Sequence, residues 1–163
     1  MNKPCRLQAE HEVSVFDCGD DLLNDFLKTS AWKNQLNKSS FTYVIAEENK
    51  VIGYYSLAVG SVMHEEVFLP VVTSQGKKDI AVLRLTRLAV DQKKQKQQIG
   101  SNLLKDALSR ACAIAQGTGI RCIVADAKSE SAEKFYRHYN FEPWPIDNFR
   151  LYLLMKDVRN SLA

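Results

Sequence analysis

The stretch Arg87-Leu-Ala-Val-Asp-Gln-Lys-Lys-Gln-Lys-Gln-Gln-Ile-Gly-Ser101 is where the residue types of this chain most plainly suggest chemistry. An apolar segment delivers the backbone into a polar loop, and the loop turns at once into a helical pattern near Ile99. A helix start leaves amide N–H groups without partners and carries the positive end of the backbone dipole. Together these make an anion site, the arrangement by which backbone cradles phosphate. Between Arg84 and Lys105, six basic residues (Arg84, Arg87, Lys93, Lys94, Lys96, Lys105) stand against one acid, Asp91. Six minus one is +5, more than the +3 of the whole chain. The plainer alternative is a solvated basic loop. Other chemistries have less to stand on. His11, His64 and His138 lie far apart, none pairs with Cys, Asp or Glu at metal-site spacing, and no metal is expected. Cys112 falls on the apolar face of a helical pattern and Cys122 in an apolar run, so both read as packing rather than nucleophiles.

That loop needs a scaffold. With 163 residues, 45% hydrophobic and 25% charged, the chain is neither disordered throughout nor collagen-like. Its length suits one domain over residues 1–163, which buries about two-thirds of its unfolded surface and needs no disulfide or metal. No apolar run approaches the roughly 18 residues of a membrane span. The opening MNKPCRLQAEHE lacks the apolar stretch of a secretory leader. Cys5, Cys18, Cys112 and Cys122 form no CxxC pair, so reduced thiols and a cytoplasmic location are expected. A net charge of +3 is too small to prove a nucleic-acid partner.

Periodicity and turn residues predict the elements. Ser14-Val-Phe-Asp-Cys-Gly19 opens a helix with Asp17 or Asp20 as cap, and Leu22, Leu23, Phe26 and Leu27 recur at helical spacing. Trp32 and Leu36 fall on a second short helix, where Trp32 reads as a core anchor. Residues 41–46 and 51–62 are strands joined by a polar turn at 47–50. Residues 64–79, with Pro70 and Gly76, read as an irregular crossing loop. Residues 80–90 form a strand burying Leu83, Leu85, Leu88 and Val90, followed by a polar loop over 92–98. A helix over 99–116 shows Ile99, Leu103, Leu104, Ala107, Leu108, Ala111 and Ala115 on one face, and Gly117 and Gly119 end it. Residues 120–125 are a short strand, 129–138 a helix started by Ser129 or Ser131, and 149–155 a last strand. The order makes a mixed α/β domain.

Three blocks then resemble the GNAT family of acyl-CoA-dependent N-acetyltransferases. Gln95-Lys-Gln-Gln98-Ile-Gly100 is similar to the family's pyrophosphate loop, Gln/Arg-x-x-Gly-x-Gly/Ala. Ser131-Ala-Glu-Lys-Phe-Tyr-Arg-His-Tyr-Asn-Phe-Glu-Pro143 resembles its A-x-x-F-Y-x-x-x-G-F-x-P corner. Phe16-Asp-Cys-Gly19, Leu23-Asn24 and Gly53-Tyr-Tyr-Ser-Leu-Ala-Val-Gly-Ser61 resemble the toxin branch of the family, the TacT and AtaT type, which acetylates the amino group of aminoacyl-tRNA. The blocks span residues 7–155 in family order. Gln98 and Asn140 stand where the family has glycine. A residue with a Cβ in the left-handed region costs about 1–2 kcal/mol, and Asn tolerates that region best.

The resemblance implies a central mixed, mostly antiparallel sheet flanked by helices, and an acetyl-CoA-dependent transferase that blocks translation. It implies that Leu88, Ala89 and Val90 pair their backbone with the pantetheine arm. Gln95, Lys96, Gln97, Gln98, Ile99, Gly100 and Ser101 would hold the pyrophosphate, with Lys93, Lys94 and Lys96 adding attraction. Tyr136 would be the acid that protonates the leaving thiolate, with Tyr139 as the nearby decoy. A tRNA acceptor needs a basic face, for which Lys28, Lys33, Lys38, Lys77 and Lys78 are candidates against the plainer reading of helix-surface lysines. A ribbon–helix–helix antitoxin and a homodimer are implied partners. Two alternatives stay open: a cofactor-impaired binding module, favoured by Gln98, and an acetyltransferase for a protein or small-molecule amine.

Overall fold

The computed structural model describes residues 2–62, 80–145 and 147–162. The expected loop over 64–79, with His64, Lys77 and Lys78, lies outside them. Among the described residues seven strands share one sheet in the order β1-β2-β3-β4-β5-β7-β6, and the chain divides into two compact units.

The first unit comprises Met1–Ala58 and Thr86–Ala107. It holds β1 (Cys5–Arg6), α1 (Asp21–Asp25), a π-helical turn (Phe26–Ser30), α2 (Ala31–Leu36), β2 (Phe41–Glu47) and the first part of β3 (Lys50–Val62). β2 runs antiparallel to both β1 and β3. Glu48 and Asn49, at φ 50° and 66°, make the tight turn of the hairpin, since positive φ at both positions matches the strand twist. Asp20, rather than Asp17, caps α1 by accepting from the Leu22 and Leu23 amides. Phe16, Phe26, Leu27, Ala31, Val44, Tyr54 and Ala89 form the core, with Phe16 edge-on to Tyr54 at 5.6 Å.

The two helical patterns fall where expected, but one expectation fails: Trp32 is 39% exposed rather than a core anchor, and Leu22 and Leu36 on the same helices are exposed too. The π-turn inserts a residue and rotates the helical face that follows it. Gln35 therefore faces the sheet, donating to the Leu7 carbonyl at 2.8 Å and accepting from the Thr42 amide at 3.1 Å.

The second unit comprises Val59–Leu85 and Leu108–Ala163. β4 (Ile80–Val90) begins here and pairs in parallel with β5 (Cys122–Asp126), and β5 pairs antiparallel with β7 (Asp147–Leu154). β6 (Glu142–Trp144) closes the edge. α3 (Ile99–Gln116) contributes to both units, and α4 (Glu130–His138) and α5 (Val158–Leu162) to this one. Ser129 caps α4 by accepting from the Ala132 amide. Neither Gly117 nor Gly119 adopts the left-handed conformation of a glycine cap, although α3 does end before them. Cys122 is fully buried as expected, whereas Cys112 is half-buried. β1, β6 and α5 carry too few residues to show a period, and the patterns do not announce them.

Candidate active site

In the first unit, β4 ends at Val90 and the chain enters a short 3₁₀ turn, Gln92–Lys94. Ala89 is the buried residue at this end, packed in the core with Phe16 and Tyr54, so Leu88 and Val90 point the other way and are half-buried. That corrects the expectation of buried Leu88 and Val90. Asp91 accepts from the Lys93 amide at 2.9 Å and the Asp17 amide at 3.1 Å. The Gln92 amide donates to the Asp17 carbonyl at 2.8 Å. Asp17 in turn accepts from the Gly19 amide at 2.9 Å and the buried Asn24 side chain at 3.0 Å. The Asn24 amide foremost, then the Gly19 N–H and the Gln92 side chain, hold the Asp17 carboxyl below its usual range. The Phe16-Asp-Cys-Gly19 block is thus a clasp on the loop.

Gln95 belongs to the same clasp. Its side-chain amide turns back to the Val90 carbonyl at 3.0 Å and the Cys18 carbonyl at 3.5 Å. Its side chain braces the loop instead of reaching outward, and Val90 offers a carbonyl already engaged. Lys94 pairs with Glu47 at 3.1 Å, and the Arg87 guanidinium lies over the Phe26 ring at 3.8 Å. Of the six basic residues, these two and Arg84, which pairs with Asp126, are tied to the scaffold, while Lys93, Lys96 and Lys105 are exposed.

Lys96 and Gln98 sit at φ 63° and 65°, so Gln98 takes the conformation that glycine would. The Gln98 carbonyl accepts from the Asn102 amide at 3.0 Å, the first bond of α3. The amides of Ile99, Gly100 and Ser101 therefore precede the helical ladder. Left-handed residues ahead of a helix start turn successive N–H groups to one side, which suits phosphate oxygens. Gln97 and Gln98 are exposed, Ile99 is buried, and Gly100 and Ser101 are half-buried. Gly53 lets α3 lie close on β3: a Cβ there would stand 3.0 Å from Leu103 and 3.1 Å from Ile99. Amides presented in this way suit a diphosphate group.

In the second unit, Tyr136 sits near the end of α4, 5% exposed, between the rings of Phe135 at 5.5 Å and Phe141 at 5.3 Å. Burial, and after it the Asp126 carboxylate, push its phenol well above the ordinary range. The hydroxyl therefore keeps its proton at neutral pH. Tyr139 is half-buried, with its carbonyl held by Ser161 at 2.7 Å. Asn140, at φ 71°, makes the corner that glycine makes in the family pattern, and its side chain donates to Ser161 at 3.2 Å.

Sequence reasoning missed one charged cluster in this unit. Asp126 sits 3.7 Å from Arg84 and 3.4 Å from Arg150. Arg84 entered the reading only as local charge, because nothing in a linear pattern pairs residues 84, 126 and 150. Lys28, Lys33 and Lys38 are all exposed, on the π-turn, on α2 and just beyond it. Among the described residues no group of His, Cys, Asp or Glu could hold a metal ion, and no helix is long and apolar enough to cross a membrane.

Comparison with known proteins adds to this geometry. The domain family described as acetyltransferase (GNAT) matches residues 38–143. A tRNA-acetylating toxin of Mycobacterium tuberculosis is 38% identical over 157 residues, 96% of this chain and 93% of the relative. A crystal structure of AtaTR bound with AcCoA superposes with a TM-score of 0.81 at 28% identity, covering 99% of this chain and 96% of that one. A structure of a Tyr-to-Phe mutant of the AtaT toxin, bound to the C-terminus of the antitoxin AtaR and acetyl-CoA, has a TM-score of 0.81 at 25% identity, covering 97% of this chain and 96% of that one.

Proposed function

The chain belongs to the GNAT acetyltransferase family, and from that premise we propose that it is a toxin that acetylates the α-amino group of aminoacyl-tRNA and so blocks translation. Acetyl-CoA supplies the acyl group as its thioester. The observation that carries the reading is Gln98 at φ 65°: a residue with a Cβ holds the glycine conformation at the mouth of α3, so the phosphate cradle survives the substitution. The similarity to a tRNA-acetylating toxin supports the choice of acceptor.

The residues divide the work. The amides of 99–101 and the side chain of Lys96 receive the diphosphate, while Gln95 and the Asp17–Asp91 clasp hold that loop in shape. Leu88 and Ala89 offer backbone to the extended arm, as a strand edge does to a peptide. An α-amino group has a pKa of about 8, so a fraction is already neutral and no strong base is required. The leaving thiol has a pKa of about 8.5, and its sulfur is the group that needs a proton. Tyr136, buried and protonated, is the donor in this assignment. Lys28, Lys33 and Lys38 serve as sequence-independent phosphate contacts for the acceptor. The same reading makes residues 1–163 one acetyltransferase domain, cytoplasmic, homodimeric, and neutralised by a ribbon–helix–helix antitoxin; the AtaT complex with the C-terminus of AtaR supports the antitoxin.

The test is incubation with labelled acetyl-CoA, a mixture of charged tRNAs and a cell extract. Label is expected in the RNA fraction, released as N-acetyl-aminoacyl product by mild base. Label on lysines of proteins with none on RNA would overturn the acceptor.

A further inference from the structure

One face of the second unit's sheet changes character along its strands. In register, Val82 pairs with Cys122 and Cys122 with Leu154, and farther along Arg84 pairs with Val124 and Val124 with Tyr152. Ile80, Val82, Cys122, Val124 and Tyr152 are buried in one apolar cluster. At the end where β5 stops, the same alternation brings up Arg84, Asp126 and Arg150 instead. An apolar floor therefore ends in a row of charge at the C-terminal end of a parallel strand pair, the end where open α/β sheets place their ligands.

The row is built rather than incidental. Arg84 lies across β3 at Gly60, where a Cβ would stand 2.9 Å from its Nε and 3.0 Å from its Cδ. Arg84 Nη1 is 3.7 Å from Asp126 Oδ2, and Arg150 Nε is 3.4 Å from Asp126 Oδ1. The Arg150 guanidinium also stands 6.0 Å from the Trp144 ring centre. One carboxylate thus orients two guanidiniums and leaves the row at +1. The arginine side chains are 30% and 28% exposed, so each fork still presents N–H groups to solvent. Planar forks of this kind match the oxygens of a phosphate.

We propose that Arg84 and Arg150, oriented by Asp126, bind a phosphodiester near the aminoacylated end of the acceptor RNA and present that end to Tyr136. This rests on the tRNA-acetylating reading above. Packing supports it: α4, which carries Tyr136, lies against β7, which carries Arg150. Coenzyme A also carries phosphates, so the experiment must separate the two sources.

Arg84→Gln, Arg150→Gln and Arg84→Lys are assayed with charged tRNA and with an aminoacyl-adenosine that has no phosphate, and acetyl-CoA affinity is measured by calorimetry. For charged tRNA, KM should rise about tenfold or more in each glutamine variant with kcat little changed, since hydrogen bonds to charged groups are among the strong ones. The slope of log KM against log salt should fall by about 0.7 for each phosphate that is no longer neutralised. Arg84→Lys, which keeps the charge without the fork, should fall between. Loss of acetyl-CoA affinity instead, or an equal loss on the phosphate-free acceptor, overturns the proposal. If the wild-type protein acetylates no charged tRNA, the functional reading has failed by itself. The binding of uncharged CCA-ended RNA then decides this proposal, and a dissociation constant that neither glutamine variant moves overturns it.

Discussion

Replacing Gln98 by glycine should make the protein more stable, against the usual effect of glycine. Gln98 sits at φ 65° and is exposed, so its side chain contributes strain at the backbone and little burial. Relief of the left-handed conformation is worth about 1–2 kcal/mol. Against it stands the greater freedom of glycine in the unfolded chain, about 0.4–1 kcal/mol. The difference leaves a gain of about 0.5–1 kcal/mol, which for a chain of this size raises Tm by about 1–4 °C. Two comparisons isolate the cause. Gln98→Ala keeps the Cβ and should not gain. Asn140→Gly relieves a milder strain at φ 71° but removes the 3.2 Å bond to Ser161, a contribution of about 1 kcal/mol, so it should be neutral or slightly destabilising. Calorimetric melts of the four proteins decide the matter. A lower Tm for Gln98→Gly, or equal gains for Gln98→Gly and Gln98→Ala, would refute the argument from φ.

Further outcomes follow from the same contacts. Tyr136→Phe should lower kcat by roughly 10²–10⁴ with little change in KM for acetyl-CoA, because the buried ring site still accepts phenylalanine; steady-state kinetics with charged tRNA reads both. Asp17→Ala should raise KM for acetyl-CoA by loosening the clasp, while Asp17→Asn, which keeps the acceptor oxygen, should stay close to wild type. Because the folded Asp17 carboxyl titrates below its ordinary 3.8, its contribution is present above that value and lost as pH falls through the lower folded one, so Asp17→Asn should flatten the acid unfolding curve. Gly53→Ala should destabilise by about 1–3 kcal/mol in denaturant melts, since its Cβ would press Leu103 and Ile99 against a packed helix. The Cys122 thiol is pushed up to about 12 by burial, so its contribution is complete below the ordinary 9.0 and lost as pH rises from there to about 12; alkylation followed by mass spectrometry should modify exposed Cys5 first and Cys122 last.

The long elements were legible because each carries a period. The 80–90 strand and the 99–116 helix have the predicted limits, since seven apolar residues on one face leave no other phase for α3. The loop between them reads as an anion site from local charge and a helix start, and the structure gives it left-handed backbone at Lys96 and Gln98 just ahead of α3. Its clasp was not legible, because Asp17 and Asp91 are distant in sequence and meet only when β4 returns beside the first turn. Trp32 misled for a local reason that a pattern cannot see: one residue inserted at the π-turn moves Gln35 inward in its place.

From residue order alone came the family resemblance, the positions of the long strands and helices, and the demand for left-handed backbone at residues 98 and 140. These are short-range matters, fixed by periodicity and by what a Cβ allows at one φ. Tertiary structure alone decided which cations are tied down, that the Gln95 side chain turns back to the Val90 carbonyl, and that Arg84, Asp126 and Arg150 stand together. Electrostatic partners depend on distance in space, and only the pairing register of β4, β5 and β7 converts three separated residues into neighbours.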